Sequence, residues 1–354
     1  MINKTQAEIM RNWKTSADKP TVSVICNTYN QSRYIGSALD SFLMQETDFP
    51  FEVIVHEDAS VDNTADIIRE YEKKFPDIIK PIYEKENQYS KNRDIVMEID
   101  LPAAGGKYIA FCEGDDYWTD KTKLQKSFDY MEKHDECSLV SHLTNVDNGV
   151  SKKMTQYNPD FMQRGGIISS DEVIIETNLI HTSSLFFRKS FLENNKRIIT
   201  RLKSYDAVLV MLAATEGYVY LIPETMSVYR FRAAGSWNLA VADDDEKLLK
   251  VIEHLCRSAE TINKYRNYKF SQTFKERNRR ASFGFYKIKG DIPKLLNKKY
   301  RDLYKKASIA DHIMILLKNM PEPARLFFRR YIRPHLWGIY LRFNESGGFS
   351  SYKR

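Results

Sequence analysis

Apolar and polar positions along residues 21–112 switch repeatedly between a strand period and a helix period. Val22-Ser23-Val24-Ile25-Cys26 is a short β-prone run that stops at the polar stretch 27–30. Ile35, Leu39, Phe42 and Leu43 then recur at helical spacing and mark one apolar face. Residues 51–56 form a second β-prone run, ending in Glu57-Asp58-Ala59-Ser60. Ile67, Ile68, Tyr71 and Phe75 predict a second helix, with Ser60 or Asp62 as its N-cap and Pro76 beside its end. Residues 78–83 and 108–112 predict a third and a fourth strand, the last entered through Gly105-Gly106. Strands alternating with helices of this length give βαβ units and a mostly parallel sheet, with right-handed connections. Ligands of such sheets bind beyond the carboxyl ends of the strands. Two acidic clusters, Glu57-Asp58 and Glu113-Gly114-Asp115-Asp116, fall at those ends.

From about residue 243 the strand signals stop and the chain reads as helices, punctuated late by Pro321, Pro323 and Pro334. Charge changes there too. Residues 241–354 hold 26 Lys and Arg against 12 Asp and Glu, whereas residues 1–240 hold 28 against 35. The organisation expected is a polar segment 1–20, an α/β domain 21–240 and a basic helical region 241–354. Lys and Arg interleaved with Tyr, Phe and Trp, as in residues 326–333, admit nucleic-acid binding, docking on an anionic membrane or a solvated face. No DNA- or RNA-binding motif accompanies the charge, so nucleic acid is set aside as a partner and peripheral membrane contact is the reading favoured.

A hydrophobic content of 42% with 12% aromatics suits a folded chain. No stretch approaches the ~20 apolar residues of a spanning helix, and residues 1–19 lack the apolar centre of a signal peptide. The expected location is therefore the cytoplasm, at the inner face of the membrane. Cys26, Cys112, Cys137 and Cys256 form no CxxC pair, which favours free thiols over disulfides or a zinc site.

The chemistry concentrates in the acidic clusters. Glu113, Asp115 and Asp116 are three carboxylates within four residues after an apolar strand. At that spacing they repel and raise one another's pKa, which a bound cation relieves. Carboxylates favour Mg2+ or Mn2+, with phosphate oxygens and water completing the shell. The competing reading is a solvated acidic turn capping the helix after Lys121. Asp58 can accept hydrogen bonds from the base or ribose of a nucleotide lying along the strand ends, or simply favour a helix start through the macrodipole. Asp206, opening a helix that carries Leu209, Leu212 and Ala213, is either a cap or a general base facing the same cleft.

Three segments in order, Val22 through Asn30 (VSVICNTYN), Phe51 through Thr64 (FEVIVHEDASVDNT) and Gly106 through Trp118 (GKYIAFCEGDDYW), resemble glycosyltransferase family 2. Tyr205-Asp206 and residues 228–237 (VYRFRAAGSW) resemble its catalytic-helix and closing-loop segments, so the resemblance covers about two-thirds of the chain. It implies an α/β, Rossmann-like GT-A fold for nucleotide-diphospho-sugars, followed here by the basic helical extension. It also implies inverting transfer from a nucleotide-sugar donor, usually UDP-linked, to a glycan or lipid-linked acceptor in bacterial surface-polysaccharide or lipopolysaccharide assembly. On that likeness Thr28, Tyr29 and Asn30 line the nucleotide pocket and Asp58 meets the base. Asp115 matches the metal-binding acid of the DxD signature and also contacts the nucleotide, with Glu113 in the first acidic place and Asp116 just after. Asp206 matches the general base. In the family's Tyr-Arg-x-His segment the His place holds Arg232, so Arg230 and Arg232 are assigned to the diphosphate rather than to metal. His181, Trp118 and Trp237 are assigned to the acceptor side. Two rivals stand beside this reading. A sugar-1-phosphate nucleotidyltransferase needs a Gly-rich phosphate loop after the first strand, and residues 27–33 contain no glycine. A non-catalytic binding protein could retain the fold.

Overall fold

A computed structural model describes residues 2–149, 154–157, 165–176, 180–203, 206–231, 233, 244–321 and 323. The chain divides into two compact units, residues 1–157 with 164–240, and residues 158–163 with 241–354.

The first unit is built on strands β1 (Val22–Thr28), β2 (Phe51–Glu57), β3 (Ile79–Tyr83), β4 (Tyr108–Phe111), β5 (Tyr117–Trp118), β6 (Cys137–Asp147), β7 (Thr155–Gln156), β8 (Gly166–Ile168), β9 (Phe186–Arg188) and β10 (Tyr218–Arg230). They form one sheet in the order β3-β2-β1-β4-β9-β6-β10-β5, with β7 on β6 and β8 on β10. The ladders β1–β2, β2–β3, β1–β4 and β6–β10 are parallel, and the antiparallel ones are short. β1 and β2 are almost wholly buried because helices cover the parallel part of the sheet. The helix Ile35–Leu43 turns Ile35, Ala38, Leu39, Phe42 and Leu43 into that core. The next, Thr64–Lys74, contributes Ile68 and Tyr71.

Two local expectations change. The N-cap of Thr64–Lys74 is Asn63, without a side-chain cap bond. Asp62 instead accepts from the Thr64 amide at 3.0 Å and from the Ser32 amide at 3.1 Å, tying the helix start to the loop after β1. The helix Asp206–Ala214 has every residue from Ala207 to Ala214 buried. It is enclosed on all sides rather than on one, which is why its sequence shows so little amphipathic contrast.

β1 lies between β2 and β4, and the chain leaves it toward β2 on one side while β4 flanks the other. This is the switch point at which ligands enter doubly wound sheets. Thr28 pairs with Glu57 at the end of one ladder, and Ile25 with Phe111 at the end of the other. The loops carrying Asn27 to Asn30, Glu57 to Ser60 and Glu113 to Asp116 therefore emerge side by side.

The second unit contains the helices Asp245–Tyr265, Ser271–Lys289, Ile292–Leu295, Arg301–Lys306 and Ile309–Lys318. A small core of Phe283, Leu295, Tyr300, Leu303 and Ile315 holds them. Capping is explicit: Asp244 accepts from the Glu246 and Lys247 amides, Ser308 and Asp311 form a capping box, and Gly290 ends its helix in the left-handed region at φ 69°. Among the described residues no helix is long and apolar enough to cross a membrane. The four cysteines are free thiols.

Candidate active site

The acidic turn after β4 is held by backbone and by arginine. The Gly114 amide donates to the Asn27 carbonyl at 2.9 Å. A Cβ at Gly114 would stand 2.6 Å from Gln31 Oε1 and 2.8 Å from Thr28 Oγ1, so glycine is required there by space. Asn27 Oδ1, Thr28 Oγ1 and Gln31 Oε1 are buried acceptors that find no hydrogen-bond partner in the protein, a deficit that a ligand or water can fill. Arg230, the last residue of β10, donates its amide to Asp116 Oδ1 at 2.9 Å and its guanidinium to the Asp115 carbonyl at 2.7 Å. That guanidinium sits 4.3 Å from the Tyr117 ring centre and 5.3 Å from Tyr34. Arg230 thus braces the acidic turn, a role the sequence alone does not reveal. Arg232 and Trp237 lie outside the described residues.

Burial dominates the protonation of this turn. It pushes Glu113 up to about 8, reinforced by Asp115 and Asp206. It raises Asp115 to about 6, against a lowering pull from Arg230. Asp116 rises well above its ordinary value, through burial first and Asp115 second.

The β2 end is strained and anchored. Ala59 has φ 60° and Asn30 φ 52°, both in the left-handed region. The Asn30 amide donates to Ser60 Oγ at 2.9 Å, and Asn30 Oδ1 accepts from the Val61 amide at 2.9 Å, so its side chain locks two loops together. Tyr29 is 40% exposed. Asp58 is buried and accepts from the Gln88 amide at 2.5 Å and the Tyr89 amide at 3.0 Å. Its first duty is to pin the 86–93 loop, leaving one lone pair per oxygen for a nucleotide. Beside this loop lies a feature that periodicity missed, a π-helical turn Val96–Asp100. Such turns cluster at functional sites. Asp100 is fully buried, and burial with nearby Glu113 holds its pKa well above the ordinary carboxyl range, against a lowering side-chain hydrogen bond from Asn27. A cluster of acids drawn from separate segments is detectable only once the fold brings them together.

Opposite the acidic turn stands the short helical turn Thr182–Ser184, preceded by His181. The Ser183 amide donates to His181 Nδ1 at 3.2 Å. An amide can only donate, so Nδ1 is the acceptor nitrogen and the neutral ring carries its proton on Nε2. Nε2 lies 3.8 Å from Asp116 Oδ2. Burial lowers the His181 pKa to about 3, which keeps the ring neutral. Tyr229 and Tyr157 flank it at 4.3 and 5.0 Å. His181 is therefore largely enclosed. Trp118 is likewise a core residue: it packs 4.8 Å from Phe42 and donates Nε1 to the Ser183 carbonyl at 2.9 Å, so its ring is out of an acceptor's reach. Thr182 donates to Asp206 Oδ2 at 3.0 Å. Burial raises the Asp206 pKa, with that bond and the Ala207 amide opposing.

Among the described residues no three His, Cys, Asp or Glu side chains converge as a ready-made metal cage. A Mg2+ or Mn2+ ion bound with a diphosphate needs only one or two carboxylates. Glu113 and Asp115, neighbouring acids with raised pKa, have the donor chemistry for that open site, and Asp116 stands beside them with one oxygen accepting the Arg230 amide. A cavity of about 250 Å³ beside the short helix Gln6–Met10, lined by Lys4, Glu8, Arg11 and Gln45 among others, includes none of these residues.

A mostly parallel sheet with strained, acid-lined loops at its switch point, faced by a half-buried Asp on a helix, defines the GT-A class of nucleotide-diphospho-sugar folds. Residues 23–194 match the profile of glycosyl transferase family 2, so this part of the chain carries a domain similar to that family. It is 36% identical over 224 residues to the uncharacterized protein Rv1520 of Mycobacterium tuberculosis, covering 63% of this chain and 62% of that one. It is 28% identical over 237 residues to the uncharacterized glycosyltransferase alr2836 of Nostoc, covering 65% and 70%. Against the first of these, the match spans less than two-thirds of the relative's length. Among solved structures, S. aureus TarS 1–349 in complex with UDP-GlcNAc superposes with a TM-score of 0.54 at 18% identity, covering 81% of this chain and 90% of that one. The mannosyltransferase PcManGT of Pyrobaculum calidifontis, in complex with GDP-Man and Mn2+, superposes with a TM-score of 0.51 at 18% identity, covering 89% and 93%. These likenesses establish the fold.

Proposed function

We propose that the chain transfers a sugar from a nucleoside-diphosphate donor, UDP-linked in the first instance, to a hydroxyl of a glycan or lipid-linked acceptor with inversion. Surface-polysaccharide or lipopolysaccharide synthesis is the corresponding process. The observation that carries this reading is the placement of Glu113 and Asp115 at the switch point with Asp206 across from them. The UDP-GlcNAc complex of one structural neighbour and the GDP-Man and Mn2+ complex of another support the donor class and the ion.

Thr28, Tyr29 and Asp58 would receive the nucleoside, with Asn30 fixing the loops beneath it. Mg2+ or Mn2+ held by Asp115 and Glu113 would neutralise charge on the departing diphosphate. Asp206 takes the proton of the acceptor hydroxyl as its oxygen bonds to the anomeric carbon, and the sugar–diphosphate bond breaks on the opposite side. The raised pKa of Asp206 makes it a stronger base than a solvated carboxylate. Arg230 keeps Asp115 in place, and Arg232 is assigned to the diphosphate. Donor hydrolysis and thermal shift across a panel of nucleotide-sugars, with and without Mn2+, test the reading. One donor should turn over and stabilise the protein only with metal. Stabilisation without turnover would favour a binding protein that has kept the fold.

A peripheral membrane contact, at the cytoplasmic face, is the second part of the proposal. Ile309, Ile313, Leu316 and Met320 recur at helical spacing and are exposed, Ile309 at 81% and Leu316 at 56%, with exposed Lys305 and Lys306 just before them. An apolar stripe beside lysines suits an anionic bilayer surface. Flotation with phosphatidylglycerol vesicles should fall in an Ile309→Glu, Leu316→Glu variant; unchanged flotation removes this part.

A further inference from the structure

We propose that Thr182 is a positioning residue for Asp206, tying the base to the sheet. The inference rests on Asp206 acting as the base.

Thr182, in the turn Thr182–Ser184, hydrogen-bonds Asp206 Oδ2 at 3.0 Å, while the neighbouring His181 Nε2 stands 3.8 Å from Asp116 Oδ2, beyond hydrogen-bond reach. The turn itself is fastened from behind. Trp118 Nε1 holds the Ser183 carbonyl at 2.9 Å. Ser183 Oγ bonds Ser227 Oγ at 2.9 Å, which continues to Thr144 Oγ1 at 2.9 Å. Ser184 Oγ meets Ser141 Oγ at 2.8 Å and the His181 carbonyl at 2.7 Å. These contacts come from β5, β6 and β10, so the turn inherits the rigidity of the sheet. The other hydrogen bond of the Asp206 carboxylate runs from its own neighbour, the Ala207 amide, at 2.6 Å. An amide one residue away moves with the helix and cannot fix the carboxylate against the rest of the site. Thr182 alone, among the described contacts, ties it to the sheet.

The groups that face Asp206 electrically are Glu113 after β4, Tyr157 and Tyr229 of β10. None of these is a cation. Without the Thr182 hydroxyl the carboxylate loses a donor that favours its charged form, and its proton affinity rises.

The test compares Thr182→Val, Thr182→Ser and Asp206→Asn on UDP-GlcNAc hydrolysis with Mn2+, and on the thermal shift given by UDP with Mn2+. Thr182→Val should lower kcat about tenfold, leave the donor KM and the UDP shift unchanged, and move the acidic limb of the pH profile to higher pH. Thr182→Ser should restore most of the rate. Should the valine variant melt early, Thr182→Ala repeats the comparison without the added methyl. Wild-type kcat and pH limb in the hydroxyl-less variants, with Asp206→Asn inactive, would overturn the positioning role alone. A raised donor KM with unchanged kcat would assign Thr182 to donor binding instead and overturn it too. An active Asp206→Asn would remove the base reading on which the inference stands.

Discussion

In the C-terminal helices several charges meet their opposites: Arg279 sits between Glu276 and Asp302, Lys287 against Asp311, and Lys318 against Asp245. At the carboxyl ends of β1, β2 and β4 the reverse holds, with Asp58, Asp100, Glu113, Asp115 and Asp116 crowding together and Arg230 braced among them. Pairs of the first kind, at least partly open to solvent, contribute about 0–1 kcal/mol each. Buried like charges of the second kind are destabilising in the free protein, and such groups are retained where a ligand or a reaction uses them. The comparison separates the part of the chain that is built to stand alone from the part that is built to be completed.

Removing the functional acids should give the largest effect. Asp206→Ala is expected to lower donor turnover by at least about 100-fold, the low end of general-base contributions, with little change in melting temperature. Retention of turnover would show that the cluster does no chemistry. The free protein should also report its own unease through pH. Glu113 in the folded chain titrates near 8 against an ordinary 4.5, so the folded state holds this proton longer than the unfolded chain. Its contribution is fully present below the ordinary value and is lost as pH rises toward 8. Thermal melts without metal should therefore weaken over that interval, and Glu113→Gln should flatten the decline. A decline of the same size in the variant would locate the effect elsewhere.

Lys123 sharpens the contrast from inside the same unit. It is fully buried, its ammonium lies 3.8 Å from the Trp118 ring centre without a hydrogen-bond partner, and burial depresses its pKa to about 7. A depressed lysine destabilises the fold most below pH 7, where it is charged in both states, and the penalty fades as pH rises toward the ordinary value. Lys123→Met should accordingly stabilise the protein at pH 6, by an amount that shrinks toward pH 10. The smallest effect belongs to the helical unit, where Arg279→Ala should cost under about 1 kcal/mol in denaturant melts and leave turnover unchanged.

Much of this fold was legible because β1, β2 and β4 are buried on both faces and therefore continuous in hydrophobicity, each followed by punctuation that ends it. The acids at their ends were visible for the same reason. β6 and β10 escaped, since Ser141, His142, Thr144 and Ser227 occupy buried positions and their side-chain hydrogen bonds disguise the strand period. Asp100 and the 87–89 loop lacked any periodic signal, because their significance lies in which strand end they meet. Trp118 and His181 were assigned to the acceptor side through the family likeness, and their burial, with Trp118 Nε1 on the Ser183 carbonyl, shows only once the fold is known.

The most direct measurement is calorimetry of UDP binding to the wild-type chain and to Asp115→Ala, each with and without Mn2+. Tight binding by the wild type only when Mn2+ is present, and loss of that dependence in the variant, is the predicted result. Equal binding of UDP by both proteins regardless of the ion would contradict the account.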